Sequence, residues 1–122
     1  NEEVSFEGQY TGNTDICYEL NLKNTEKKWE VLIAGGLKLS WSPEEYVFRM
    51  EFTDGKLGCG RGLRAREIKA CKDIRIVVDA SCVEVFMNGG KDVFSTRFYP
   101  EKDQYTVKAS GEGLTGSYRY RV

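Results

Sequence analysis

Apolar and polar residues alternate with a period of two through most of the chain, which is the mark of strands with one buried and one outward face. Ile16, Tyr18, Leu20 and Leu22 alternate with Cys17, Glu19, Asn21 and Lys23, and the polar run Asn24-Thr25-Glu26-Lys27 ends the pattern. Phe6 marks a shorter strand before it. Trp29, Val31 and Ile33 lead through Ala34-Gly35-Gly36 into Leu37, Leu39 and Trp41, which reads as a hairpin. Ser42-Pro43-Glu44-Glu45 imitates a helix capping box, but Tyr46, Phe48, Met50 and Phe52 follow at spacing two, so a turn and another strand are expected.

The most informative stretch is residues 74–99. A two-residue turn at Ala80-Ser81 sets Val78 opposite Val83, Ile76 opposite Val85 and Ile74 opposite Met87, so one face of this hairpin is continuously apolar. The next turn, Asn88-Gly89-Gly90-Lys91, places glycines where positive φ is required and sets Val85 opposite Phe94. The opposite face carries Arg75, Val77, Glu84, Phe86 and Arg97, a mixture of charge and apolar bulk that suits an interface better than open water. Alternation also puts Glu84 beside Arg75 and Arg97, which predicts an ionised, ion-paired carboxylate. Tyr105, Val107 and Ala109 predict a further strand, turned at Gly111-Glu112-Gly113 into a last one bearing Tyr118, Tyr120 and Val122 alternating with Ser117, Arg119 and Arg121. Residues 57–72 are the least regular, with Gly58, Gly60 and Gly62 beside Arg61, Arg64 and Arg66. They read as a mobile connection with solvated arginines, because no Lys-Ser/Thr and no strand-to-helix context supports a phosphate loop.

About ten short strands with no helical crossover predict an all-β fold, a two-sheet antiparallel β-sandwich of jelly-roll, lectin-like type. The 122 residues predict one domain, large enough to bury roughly two thirds of its unfolded surface. A net charge of −1 gives no bias toward polyanions, so nucleic acid is not an expected partner. No apolar run approaches the roughly 20 residues of a membrane span, and Asn1-Glu2-Glu3 lacks the basic start of a signal peptide. Cys17, Cys59, Cys71 and Cys82 form no CxxC pair, and with no histidine a metal site is not expected. Either four thiols or two disulfides fit the count; Cys17 and Cys82 inside strands favour thiols and lean the expectation toward the cytoplasm, with a secreted parent left open.

The stretch Asp79-Ala80-Ser81-Cys82-Val83-Glu84-Val85-Phe86-Met87-Asn88-Gly89-Gly90, closed by Phe98-Tyr99-Pro100, resembles the D-x-S-x-V-E-V/I-F-x-N-x-G … P signature in the C-terminal β-sandwich of glycoside hydrolase family 32. It departs from that signature at Cys82, where the family usually has Ser, and at Gly89, where Asp is common. The resemblance implies that residues 1–122 are the C-terminal module of a larger β-fructosidase, cleaving sucrose or fructans with retention. It implies a five-bladed N-terminal propeller as partner, with sucrose or fructan met through the parent. The family's catalytic motifs, N-D-P-N-G, R-D-P and E-C, do not occur in this chain, so no catalytic residue and no cofactor is expected here. Glycosidases need two carboxyl groups, about 5 Å apart for retention or about 6.5–9.5 Å for inversion, and Asp79 and Glu84 are better read as hairpin supports.

Two roles compete. One is a structural accessory module that meets the propeller through Glu84, Phe86, Arg75, Arg97 and Val77. The other is a carbohydrate-binding module that stacks a sugar on Trp29, Trp41, Tyr46 or Tyr118, although each of these aromatics lies in phase with an apolar strand face.

Overall fold

The computed structural model describes residues 3–101 and 105–120. Ten strands form one antiparallel hydrogen-bonded sheet: β1 (Glu3–Asn13), β2 (Cys17–Lys23), β3 (Trp29–Ile33), β4 (Leu37–Ser42), β5 (Val47–Phe52), β6 (Leu63–Glu67), β7 (Asp73–Asp79), β8 (Cys82–Met87), β9 (Asp92–Arg97) and β10 (Thr106–Tyr120). Their order is β6-β5-β4-β3-β10-β2-β7-β8-β9, with β1 on the other side of β10. The sheet folds over at β10 into the two layers of a β-sandwich. Val107–Gly111 pair with β3 and Thr115–Tyr120 pair with β2, so one strand serves both layers.

The glycines that suggested a turn at 111–113 make this bend instead. Both arms of β10 pair with β1, not with each other, and the register slips between Glu7 and Gln9, where Gly8 and Gly113 both take positive φ. A bulge of this kind re-aims a strand without reversing it. Val122 and Arg121, expected at the end of the strand, lie outside the described residues.

The hairpins come out as read. Trp29 faces Trp41, Val31 faces Leu39, Ile76 faces Val85, Val78 faces Val83 and Val85 faces Phe94. Leu20, Val31, Leu37, Leu39, Ile76, Val83 and Val85 are wholly inaccessible, and Phe48 meets Phe94 across the layers at 4.8 Å between centroids. At β8–β9, Asn88, Gly89 and Gly90 all take positive φ. Asn88 then pins the preceding connection to the hairpin: its Oδ1 accepts from the Lys72 amide at 2.8 Å and its Nδ2 donates to the Ala70 carbonyl at 2.8 Å.

Four local differences from the alternation pattern have physical causes. Ile16 is exposed because β2 begins one residue later, at Cys17. Tyr46 is exposed because it sits at positive φ in the turn before β5. β1 runs for 11 residues, longer than the strand expected around Phe6, since its outward residues carry no apolar signal. Residues 57–72 are also more regular than expected. A one-turn helix, α1 (Gly55–Gly58), is capped by the Asp54 carboxylate, which accepts from the Lys56 amide at 2.9 Å. Strand β6 then pairs with β5. Every β6 residue is exposed, so an edge strand of this kind leaves no alternation to read, while Leu57, Ile68 and Cys71 anchor the segment in the core.

Candidate interaction face

The outward positions of β7 and β8 form a continuous face with β2, β9 and the second arm of β10. One row across it reads Arg119, Glu19, Val77, Glu84, Ser95, and the next reads Ser117, Asn21, Arg75, Phe86, Val93. The pleat therefore does gather Arg75, Val77, Glu84 and Phe86 on one surface, and Arg97 joins them opposite Cys82. Val77 is 5% exposed although it points outward, Phe86 is half-buried, and Val93 is 47% exposed.

The charge pattern differs from the one expected at Glu84. Among the described residues Glu84 makes no ion pair, and Arg97 donates to the Ser81 hydroxyl at 3.4 Å. The carboxylate that organises the face is Glu19. Its Oε1 accepts from Arg75 Nε at 2.9 Å and Nη2 at 2.6 Å, and its Oε2 accepts from Arg119 Nε at 3.1 Å, Arg119 Nη2 at 2.7 Å and Asn21 Nδ2 at 2.9 Å. Both Glu84 and Glu19 stand diagonally across a strand boundary from Arg75. Glu19 prevails because Arg119, directly opposite on β10, closes on it from the far side.

These two forks leave only 2% of the Glu19 side chain exposed while each guanidinium stays about half in water, at 47% and 49%. Burial alone would raise the Glu19 pKa. The hydrogen bonds from Arg75, Asn21 and Arg119 and the charge on Arg75 outweigh it and hold the carboxyl down to about 2. A carboxyl held so low stays ionised at neutral pH, which unsuits it to general acid work. The Arg75 guanidinium also lies 5.7 Å from the Phe86 ring centroid, so the clamp and the aromatic form one contiguous patch.

Of the aromatics considered for sugar stacking, Trp29, Trp41 and Tyr118 are core residues at 2%, 1% and 2% exposure. Their faces are covered, and the indoles donate to the carbonyls of Thr25 at 3.2 Å and Glu26 at 3.1 Å. Tyr46 alone of the four is open, at 55%. The Asp79 carboxylate ties β7 to β2, accepting from the Cys17 thiol at 3.2 Å, and this bond above all pushes the Cys17 pKa up. All four cysteines are free thiols. Cys17 and Cys82 both pair with Asp79 from opposite sides of β7, about 10 Å apart by strand spacing and so beyond disulfide reach.

Residues 42–119 match the family model described as the C-terminal domain of glycosyl hydrolases family 32. A sucrose-6-phosphate hydrolase of Bacillus subtilis (strain 168) is 30% identical over 92 residues, which cover 74% of this chain and 19% of that protein. Among solved structures, an exo-inulinase from Aspergillus awamori superposes with a TM-score of 0.75 at 13% identity, covering 98% of this chain and 29% of the other. A Bombyx mori family 32 β-fructofuranosidase superposes at 0.72 with 26% identity, covering 96% and 26%. The chain thus spans less than a third of the length of each of these proteins.

Proposed function

The chain belongs to the C-terminal domain family of the family 32 glycosyl hydrolases, and from that membership we propose that it is the non-catalytic β-sandwich of a β-fructosidase, seated on the catalytic propeller of the same protein. The parent hydrolyses β-fructosidic bonds of sucrose, its 6-phosphate or a fructan with retention; the sandwich stabilises it and supplies no reacting group. The observation that carries this reading is the outer face built on Glu19. A carboxylate is shut away on a sheet face that, in this chain, points to solvent, and its Arg75 partner is stacked on Phe86 beside exposed Val93. Preformed forks with an aromatic anchor are what a stable interface uses, because little side-chain entropy is lost on docking. Phe86 and Val93 supply apolar area, Val77 fills the floor, and Arg75 and Glu84 orient the partner.

The test expresses this chain and a family 32 propeller as separate polypeptides and measures their association by calorimetry. Phe86→Ala and Glu84→Lys are each expected to weaken binding by about tenfold or more while the melting temperature of the chain alone changes little. Unchanged affinity in both variants would move the docking surface elsewhere.

A further inference from the structure

The two sheet edges β6 and β9 face each other across the mouth of the sandwich, where Arg61, Arg64, Arg66 and Arg97 gather. On β6, Arg64 and Arg66 occupy the inward positions opposite Met50 and Phe48, where the other strands carry core side chains. Arg66 is satisfied: it lies 3.9 Å from Asp92 and its guanidinium is 5.2 Å from the Phe94 ring centroid. Arg61, Arg64 and Arg97 have no such ion pair among the described residues. They line one cavity of about 420 Å³ with Met50, Phe52 and Cys82. Among the described residues none of the three has a carboxylate partner.

Each guanidinium donates to one neutral acceptor, and that of Arg61 also lies 5.8 Å from the Tyr99 ring centroid. Arg61 Nη1 donates to the Gly58 carbonyl at 3.2 Å, Arg64 Nη2 to the Ser95 carbonyl at 2.6 Å and Arg97 Nη1 to the Ser81 hydroxyl at 3.4 Å. Among the described residues the remaining donors of each fork are left for another acceptor. Three like charges around one space repel each other, and in a chain of net charge −1 with carboxylates to spare this concentration is not a by-product of composition. An anion removes the repulsion. The planar fork matches the oxygens of a phosphate bidentately, the volume lies in the range of small-molecule sites, and Met50 and Phe52 add an apolar wall for the body of an ester.

We propose that this mouth is a binding site for a phosphate-type dianion, carried by a phosphorylated sugar or by free phosphate. The site does not depend on the docking reading, since it can be tested on this chain with no propeller present. Titration calorimetry of the 122-residue chain with inorganic phosphate, glucose 6-phosphate and glucose, each at ionic strength matched with sodium chloride, decides it. Phosphate and glucose 6-phosphate are expected to bind and glucose is not. Tighter binding of glucose 6-phosphate than of inorganic phosphate would assign a sugar ester, and equal binding would assign the free ion. Arg64→Gln and Arg97→Gln are each expected to weaken binding about tenfold. Because Arg64 also ties β6 to β9, Arg97→Gln, which gives up only the long bond to Ser81, is the variant that separates recognition from folding. No binding by either phosphate compound, or binding that persists undiminished in both variants, overturns the proposal.

Discussion

Glu19 shows how one side chain changes character when strands distant in sequence come together. Along β2 it is an outward polar residue between Tyr18 and Leu20, yet its partners lie 56 and 100 positions away, on β7 and β10. Its pKa of about 2 against an ordinary 4.5 fixes a sign: with the folded value depressed, the stabilisation is complete above about pH 4.5 and is lost as pH falls toward 2. Glu19→Gln is expected to cost about 2–3 kcal/mol at pH 7, below the cost of breaking a fully buried pair because both guanidiniums stay half in water. Urea unfolding of the two proteins should show this gap at pH 7 and see it close between pH 4.5 and 2. A gap independent of pH would mean that packing, not the charge clamp, is what Glu19 contributes.

At the scale of elements, β10 is the strand on which the architecture turns, and Gly116 is its tightest point. A Cβ built there would lie 2.7 Å from the Asn21 carbonyl oxygen, 2.7 Å from Leu22 Cδ2 and 2.7 Å from Phe6 Cζ, so β1, β2 and β10 meet with no room for a methyl group. The Asn21 contact is with backbone, which a side-chain rotation does not relieve. Gly116→Ala is therefore expected to destabilise by about 2–3 kcal/mol, as overpacking in a closed core does. Gly62, just ahead of β6, has nothing within 4 Å of such a Cβ and no positive φ, and Gly62→Ala should stay within about 0.5 kcal/mol of the parent. Thermal melts of the two variants side by side check the pair; equal losses would mean that β10 does not cross β2 this closely.

For the molecule as a whole, a strand shared by both layers predicts one cooperative unit. If β10 leaves, β2 and β3 each lose a ladder partner and the strand joining the two layers is gone, so unfolding followed by tryptophan fluorescence, which reports Trp29 and Trp41 in one layer, should coincide with unfolding followed by far-ultraviolet circular dichroism, which reports both. Separate midpoints would show that the layers melt independently. What the sequence determined by itself was local: the period of two, the glycine and asparagine turns and the apolar ladder of Ile74, Ile76 and Val78 on Met87, Val85 and Val83, because a side-chain period and a tight turn suffice to set strand, face and register. The face of Arg75, Val77, Glu84 and Phe86 was legible for the same reason. Tertiary structure alone decided the rest. Whether Gly111-Glu112-Gly113 reverses the chain or bends it depends on which strands take up the arms of β10, and that partner is β1, about a hundred residues earlier. The choice of Glu19 over Glu84 depended on Arg119 arriving from the other side, and the arginine-lined mouth exists only because the edges of β6 and β9 are folded toward each other. A charge on an outward position carries no sign of its partner in the sequence, since the pairing is set by electrostatics between strands whose adjacency the hydrophobic pattern leaves open.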